Sequence, residues 1–503
     1  MTHSMSEVTK LPKISMKPKN GFLKSSLLMP PGSTKLEVRL DRIKADPPST
    51  NSLSPQRKPS RLKPLFVPNG NVVRDSVNVT VTNEEGSSTT TNYLTPEQVS
   101  VMHYSDLTIY EMDEILKYKK IYYWGQGAVK KQGLVGAANN DGFDDENGTY
   151  LTVPKDHLAY RYEIDRILGK GAFGQVIQGF DHKTKDYVAI KLVRSEKKIV
   201  DQAADEVRLL EMVQEDVSDP SCGIVKLIDN FSFRGHRCIV FELLGINLYE
   251  LLKKNRHKGF SLEVVAKFAH SILLSLDLLY KKKIVHADLK PENIMLQRFG
   301  RPGLKVIDLG CATEEGTIKY SYIMSRYYRA PEIPLGIPYG MAVDMFSFGC
   351  IIAELYTGKP LLQGDDGDDQ FLAQLEMLGM PPEQVLQKAQ RRRYYFNSYG
   401  TPRYCTRDVL GNGEVILGPG RTKGGRVRGP PGSKSLRRAL KDCRDDNFVN
   451  LLRRCLDWDP ETRITPPEAL NHRFLRSRNT SEPPPHMRRR RSFLKTGTKH
   501  KEV

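Results

Sequence analysis

The chain has 503 residues, 39% of them hydrophobic, which is enough apolar material for a large core and predicts one to three domains. Its formal net charge of +18 lies mostly in residues 1–65 and 475–503, and the middle of the chain is nearly neutral. The sequence has no base-reading motif, no secretory signal and no run of about 18 apolar residues, which argues against a nucleic-acid-binding, secreted or membrane protein.

The first part of the chain divides into a polar region and a patterned segment. Residues 1–92 are rich in Ser, Thr, Pro and Lys without periodicity, which predicts a disordered basic N-terminal region. The sequence TPEQ at 95–98 predicts a capped helix start, and LTIYEMDEILKY at 107–118 has helical spacing. The sequence at 136–148 is rich in turn residues. We therefore predict an accessory segment over 93–159.

The next part of the chain changes from strand-like to helical patterns. From Tyr160, β-like runs predict a small antiparallel sheet. Helical patterns follow, most clearly at 261–283, and the sequence at 421–436 interrupts them. This order predicts an α+β fold with two lobes over 160–474. Residues 475–503 are charged and predict a disordered basic C-terminal tail.

A glycine-rich sequence lies between two of the β-like runs. Gly169, Gly171 and Gly174 have GxGxxG spacing and are followed by Val176. A Rossmann turn has the same spacing, but there a helix follows directly, whereas here a second β-like run leads to the sequence VAIK. This order is typical of protein kinases, in which the glycines let backbone N–H groups approach the phosphates of ATP.

The lysine of VAIK needs a carboxylate that directs it toward the phosphates. Lys191 is the predicted phosphate-binding lysine, and the sequence QAADEVRLLEMV at 202–213 predicts a helix that can supply the partner. Glu206 fits this ion pair, with Glu211 and Asp205 as alternatives.

The strongest catalytic signal is HADLKPEN at 286–293, which matches the HRDLxxxN pattern except at its second position. Asp288 can accept the proton of the substrate hydroxyl, and Lys290 can steady the transferred phosphoryl group. Asn293 and Asp308, the latter in a DLG sequence, are the predicted Mg²⁺ ligands. The predicted cofactors are therefore ATP and Mg²⁺.

Three further residues have predicted structural roles. Glu332 closes the activation segment in the sequence APE and needs a buried cationic partner, because an unpaired buried carboxylate is costly. Arg463 fits that role. Asp344 fits the aspartate that braces the catalytic loop.

These motifs resemble those of a known kinase family. The sequence SRYYRAPE at 325–332 and the insertion at about 381–440 are similar to CMGC kinases, and within that group the chain resembles class II DYRKs. Tyr320 and Tyr322 stand at the positions of the DYRK activation pair, and the sequence from 107 onward is similar to the DH box. The resemblance extends over roughly residues 93–474.

The resemblance implies the bilobal protein kinase fold and autophosphorylation of Tyr322, whose phosphate Arg326 and Arg329 would bind. It also implies Ser/Thr transfer to protein substrates, with preference for proline-directed sites and an upstream arginine that Glu292 would contact. The further nucleotide-binding residues that it implies are Ala189, Phe241, Glu242 and Leu244.

Four positions depart from the family pattern. Ala287 replaces the usual Cys or Arg of the catalytic loop, so no arginine there can hold the activation loop. Leu309 replaces Phe and keeps the position apolar, and Cys311 lacks the cysteine partner of some DYRKs. Gly367 replaces a glutamate that contacts substrate arginine, which predicts a weaker arginine preference unless a neighbouring aspartate substitutes. The candidate substitutes are Asp365, Asp366 and Asp368.

The predicted function is that of a dual-specificity protein kinase. The alternatives are a pseudokinase scaffold, which usually lacks one or more of the catalytic residues present here, and a HIPK-like or CLK-like kinase, which the DH-box-like sequence argues against. The seven cysteines form no CxxC pair, which predicts reduced thiols in an intracellular protein. A cytoplasmic or nuclear location, or both, is expected, and HMRRRRS near the C-terminus is a candidate import signal. The sequence does not indicate whether the protein is a monomer or an oligomer.

Overall fold

The computed structural model describes residues 79–82, 88–215, 223–297, 303–318 and 322–479. Most of the two tails predicted to be disordered, and also Tyr320, lie outside these residues. Within the segment predicted to be disordered as far as residue 92, strands β1 (Val79–Thr82) and β2 (Ser88–Thr91) form an antiparallel pair. Both strands are rich in β-branched residues, which favour extended backbone.

The sheet of the small lobe and the short strands of the large lobe follow in chain order. The strands are β3 (His157–Leu158), β4 (Tyr162–Gly171), β5 (Gly174–Asp181), β6 (Asp186–Val193), β7 (Leu227–Phe233), β8 (His236–Glu242), β9 (Ile284–Val285), β10 (Ile294–Leu296), β11 (Leu304–Val306), β12 (Thr313–Glu314), β13 (Thr406–Val409), β14 (Val415–Gly418), β15 (Gly420–Arg421) and β16 (Val427–Arg428).

The α-helices of the described residues lie in the accessory segment, beside the sheet and throughout the large lobe. They are α1 (Pro96–Met102), α2 (Ile109–Glu114), α3 (Ala138–Asp141), α4 (Lys197–Gln214), α5 (Leu248–Lys254), α6 (Leu262–Lys281), α7 (Glu332–Leu335), α8 (Ala342–Thr357), α9 (Gly367–Leu378), α10 (Glu383–Lys388), α11 (Arg392–Tyr395), α12 (Leu436–Ala439), α13 (Asp446–Cys455), α14 (Pro466–Leu470) and α15 (Arg473–Asn479).

The small lobe is a six-stranded antiparallel sheet in the order β3-β4-β5-β6-β8-β7. Alternating apolar residues bury one face of the sheet, including Ile164, Ile177 and Ile190. Helix α4 buries Val207 and Leu210 in the core that it shares with the large lobe. The predicted antiparallel sheet is confirmed.

The large lobe is built around two apolar helices. Ser261 caps α6, where its side chain accepts the N–H of Val264, and α6 buries apolar residues along its length. Helix α8 is buried on nearly all sides, as expected for a central helix. The β-rich lobe followed by the helical lobe confirms the predicted α+β kinase fold.

The accessory segment packs as a small core of its own. Its first helix begins at the predicted capping box of Thr95 and Gln98, and α2 has a second box at Thr108 and Glu111. The helix predicted over 107–118 is shorter, since a 3-10 turn follows α2. The buried side chains of this core are Leu94, Val99, Leu107, Ile115, Ile121, Trp124 and Tyr160.

Among the described residues, no helix is both long enough and apolar enough to cross a lipid bilayer.

Candidate active site

Strand β6 and helix α4 bring the predicted lysine and its carboxylate together. Lys191 Nζ lies 2.8 Å from Glu206 Oε2 and 3.3 Å from Asp308 Oδ1. Burial opposes a charge on Lys191, but the two carboxylates outweigh it and raise the pKa of the ammonium. Burial also opposes a charge on Asp308, but Lys191 together with His286 and Lys290 outweighs it, so the pKa of that carboxyl is lowered. Of the three predicted partners, the geometry therefore selects Glu206 and not Asp205 or Glu211.

The catalytic loop follows β9, and Asp344 of helix α8 holds it in place. The carboxylate of Asp344 accepts the backbone N–H groups of His286, at 2.7 Å, and Ala287, at 3.0 Å. Ala287 is buried and has a φ of 63°, a left-handed conformation that is strained for a residue with a Cβ. These two bonds hold the loop in that conformation, which is the bracing role predicted for Asp344.

The side chains of the catalytic loop converge on Asp288. Asp288 Oδ1 accepts the Ser325 hydroxyl at 2.7 Å and its backbone N–H at 3.0 Å, and Oδ2 accepts Lys290 Nζ at 2.5 Å. The side-chain N–H of Asn293 donates to the carbonyl of Asp288 at 3.0 Å, which leaves its amide oxygen as a possible metal ligand. Asp288 is thus held between Lys290 of its own loop and Ser325 of the activation segment.

The carboxylate of Asp308, the predicted metal ligand, is held by its own loop. Asp308 has a φ of 66°, Leu309 is buried in the core, and the Gln202 side chain of α4 donates to the carbonyl of Gly310. The amide oxygen of Asn293 and the carboxylate of Asp308 are hard oxygen ligands, so this pair fits a divalent cation.

The glycine-rich loop joins β4 to β5 at the edge of the nucleotide site. Gly169 and Gly171 have open space at the position of a Cβ, whereas Gly174 has a φ of 139° and a Cβ there would collide with the carbonyl of Leu192. A side chain at residue 174 would therefore move the loop. Val176 pairs with Gly169 across the loop.

The other predicted nucleotide-binding residues lie at the junction of the lobes. Ala189 on β6 pairs with Phe241 on β8, and Leu244 packs at the margin of the large-lobe core. The Glu242 carboxylate accepts the ammonium of Lys305 and a backbone N–H, so its side chain is committed to protein contacts.

The activation segment places Tyr322 against one of its two predicted arginines. Arg329 donates to Tyr322 Oη at 2.6 Å, and its guanidinium carbon lies 4.1 Å from the centre of the tyrosine ring. Arg326 instead donates to the carbonyls of Gly364 and Asp365. The structure therefore brings Tyr322 and Arg329 together and directs Arg326 elsewhere.

The three aspartates considered as substitutes for the missing glutamate are engaged in other contacts. Asp365 pairs with Arg426 at 2.7 Å, and Asp368 pairs with Lys423 at 2.9 Å. Asp366 caps helix α9. Among the described residues, the buried Oε2 of Glu292 has no hydrogen-bond partner.

The pair predicted to anchor the activation segment is formed. Arg463 donates to both carboxylate oxygens of Glu332, at 2.7 and 3.0 Å, and both side chains are almost fully buried. Further hydrogen bonds from Arg463 to backbone carbonyls satisfy the remaining donors.

Comparison with known proteins agrees with this geometry. A family model described as the protein kinase domain matches residues 162–475. The chain is 49% identical over 401 residues to human dual specificity tyrosine-phosphorylation-regulated kinase 3, covering 80% of this chain and 68% of the human protein. It is 50% identical over 390 residues to the mouse kinase of the same name, covering 78% of this chain and 66% of that one. The chain belongs to the DYRK family.

A nematode DYRK gives a similar match. The chain is 51% identical over 388 residues to the Caenorhabditis elegans dual specificity tyrosine-phosphorylation-regulated kinase mbk-2, covering 77% of this chain. The matched region spans 48% of that nematode protein, so the chain corresponds to about half of its length. The predicted family is confirmed.

Two residues of this DYRK site were not predicted. Ser325 contacts Asp288 and is the first residue of the sequence SRYYRAPE. Its place in that motif could have marked it as a candidate site residue. Gln202 lies on the predicted helix one turn before Glu206, and only the helical periodicity indicates that it faces the DLG loop.

Proposed function

We propose that this protein is an active dual-specificity kinase, which uses ATP with Mg²⁺ and transfers the γ-phosphate to Ser/Thr of protein substrates and to its own Tyr322. The observation that supports this most directly is the position of Lys191 between Glu206 and Asp308. A pseudokinase has no need of this arrangement, whereas phosphoryl transfer requires it.

The residues divide the work of the reaction. Lys191 holds the phosphates, and Glu206 fixes the direction of its ammonium. Asp288 accepts the proton of the attacking hydroxyl, while Lys290 beside it balances negative charge on the transferred group. Asn293 and Asp308 would hold Mg²⁺, which would supply neutralisation of the phosphate charge.

An arginine upstream of the phosphorylated residue is the proposed specificity element of the substrate. The Glu292 carboxylate is half-buried, and a substrate guanidinium can pair with it in charge-assisted hydrogen bonds. Because Gly367 supplies no carboxylate and the neighbouring aspartates are paired, Glu292 has to supply most of this preference. Proline-directed sites are proposed from the family resemblance of the activation segment.

Intact-mass spectrometry of the full chain made in bacteria tests this function. We expect phosphate on wild-type protein, with Tyr322 among the mapped sites, and none on Asp308→Asn, since the substitution removes an anionic metal ligand. Peptide phosphorylation by Asp308→Asn should fall by at least about a hundredfold. Near-normal turnover by this variant would exclude the proposed chemistry.

A second measurement separates tyrosine activation from transfer to substrates. Tyr322→Phe should lower peptide turnover and remove most phosphotyrosine, whereas Tyr320→Phe, at the neighbouring family tyrosine, should change little. Robust turnover by a wild-type chain with unmodified Tyr322 would show that this kinase is active without the proposed autophosphorylation.

A matched pair of peptides tests the role of Glu292. Glu292→Gln keeps the shape of the side chain and removes its charge, so the preference for an arginine-containing peptide over its alanine counterpart should fall about tenfold. If wild type and variant discriminate between the peptides equally, Glu292 does not bind the arginine.

We also propose that the protein resides in the cytoplasm, the nucleus or both, as the basic C-terminal sequence suggests. Imaging a fluorescent fusion of the full chain tests this location.

A further inference from the structure

The accessory segment contacts the glycine-rich loop of the small lobe through a single turn. This accessory turn, residues 144–150, lies between the predicted DH-box-like sequence and the kinase sheet. The glycine-rich loop is the sequence GKGAFG at 169–174. Two side chains, Gln175 on β5 and Arg194 directly after β6, join the turn to the loop.

Gln175 is the first residue after the glycine-rich loop and is almost fully buried. Its side-chain amide donates a hydrogen bond to the backbone carbonyl of Tyr150, at the end of the accessory turn. Gln175 directly follows Gly174, where a Cβ cannot be accommodated. The hydrogen bond from Gln175 to Tyr150 therefore fixes strand β5 at the point where the strand leaves the loop.

Arg194 joins the same two segments by direct hydrogen bonds to both. Its guanidinium donates to the carbonyl of Asn147 in the accessory turn, at 2.7 Å from Nε, and to the carbonyl of Ala172 in the loop, at 3.4 Å. Its backbone N–H donates to the carbonyl of Phe173 at 3.1 Å. The tip of the loop is therefore held by a residue whose side chain is itself held by the accessory turn.

The accessory turn is held by hydrogen bonds of its own and by a bond to the sheet. The Asp145 carboxylate accepts the backbone N–H groups of Asn147, at 2.8 Å, and Thr149, at 2.9 Å, which fixes the shape of the turn. The buried His236 bridges Asp144 and the carbonyl of Val193, at 2.7 Å each, and so attaches the turn to the end of β6.

We propose that the accessory turn sets the position of the glycine-rich loop over the phosphates of ATP, and that Gln175 and Arg194 are the positioning residues through which it acts. A loop with three glycines restricts its own backbone weakly, so its position depends on the groups that hold it. This inference rests on the proposed ATP-dependent function. It assigns to the accessory segment a contribution to nucleotide affinity, beyond its packing against the sheet.

Steady-state kinetics of the full chain test the proposal. Gln175→Met keeps the length of the side chain and removes its donor. Asp145→Ala loosens the turn at a half-buried residue that has no described bond to the loop. Each should raise KM for ATP by about threefold to tenfold, the worth of one buried hydrogen bond, and leave KM for the peptide unchanged. Tyr110→Phe is the matched control, since it removes a hydrogen bond to Asp141 within the accessory segment, away from the loop.

The outcomes separate this inference from a purely structural role and from failure of the proposed function. A structural role would lower the active fraction, and hence the apparent kcat, without changing KM for ATP. A KM for ATP within twofold of wild type in Asp145→Ala overturns the inference, and this variant decides alone if Gln175→Met does not fold. If wild type transfers no phosphate, the proposed function fails, and the Kd of a fluorescent ADP analogue decides the inference: weaker binding by Asp145→Ala supports it, and equal binding overturns it.

Discussion

The buried Arg234 joins the accessory segment to the kinase sheet, and its replacement by methionine should destabilise that junction. Arg234 lies in the two-residue turn between β7 and β8, where it and Gly235 both have positive φ. Its guanidinium donates to Glu114 at 3.0 and 2.8 Å and to Glu111 at 3.2 Å. A left-handed backbone is unfavourable for arginine. The ion pairs with Glu111 and Glu114 offset this conformational cost.

The size of the effect follows from the burial of the charges. The Arg234 and Glu111 side chains are 2% and 1% exposed, and Glu114 is 8% exposed. Lys130 stays paired with Glu111 in Arg234→Met, but among the described residues Glu114 keeps only the hydroxyl of Tyr160. Removing one partner of a buried ion pair costs about 3–5 kcal/mol, because the other charge stays buried without compensation.

The two tryptophans of the chain allow the loss to be assigned to a region. Trp124 lies in the accessory core and Trp458 lies in the large lobe, and both are buried. In a Trp458→Phe background, urea unfolding followed by the fluorescence of Trp124 should show a lower midpoint for Arg234→Met. In a Trp124→Phe background, the midpoint reported by Trp458 should move less. Adding Glu114→Gln to Arg234→Met should recover about 1 kcal/mol or more, since it removes the unpaired charge.

The refuting results are specific to each reporter. A Trp124 transition within about 1 kcal/mol of the wild-type value would show that Arg234 does not carry the junction. Equal shifts of both reporters would show that the accessory segment and the large lobe unfold as one unit.

Other predictions follow from buried charges and from the tail. Arg463→Met should lower the free energy of unfolding by about 3–5 kcal/mol, measured in urea by the fluorescence of Trp458. The double variant that also carries Glu332→Gln should lose less, because no unpaired charge stays buried. Equal losses in the two variants would contradict the pairing of these residues. Burial raises the pKa of Glu354 to about 7, so the proton that it binds stabilises the fold fully below pH about 4.5, and this contribution is lost as the pH rises through 7. Wild type should therefore lose up to about 3 kcal/mol relative to Glu354→Gln between pH 5 and pH 8, whereas parallel curves would refute the shift. Deleting 486–503 from a fluorescent fusion should reduce nuclear signal if this sequence directs import, and unchanged localisation would favour a solubilising tail.

The sequence was most informative where the chemistry is local. The catalytic loop and the DLG sequence could be predicted because their residues act within a few positions of one another. Selection of Glu206 was also within reach, since Ala203, Val207 and Leu210 define the buried face of α4 and residue 206 lies on that face. Asp205 and Glu211 lie off it.

Contacts between distant segments could not be predicted in the same way. Arg234 binds glutamates about 120 residues earlier in the chain, and no periodicity connects them. The pairing of Asp365 and Asp368 with Arg426 and Lys423 depends on the path of the insertion, whose helices and strands are all short. Such partners are fixed by tertiary packing, so a single sequence identifies the charges without their pairing.

The catalytic loop and the activation segment of this kinase communicate without the usual catalytic-loop arginine. Ala287 has no side chain that could reach Tyr322, and its backbone is already bound by Asp344. Arg329 takes that place, because it holds Tyr322 Oη and also donates to the carbonyl of Met324, the residue before Ser325. Since Ser325 binds Asp288 through both its hydroxyl and its N–H, a short chain of contacts leads from Tyr322 to Asp288, the proposed catalytic base. A phosphate on Tyr322 would add a charge of about −1.5 to −2 beside Arg329 and so strengthen the contact from which that chain begins.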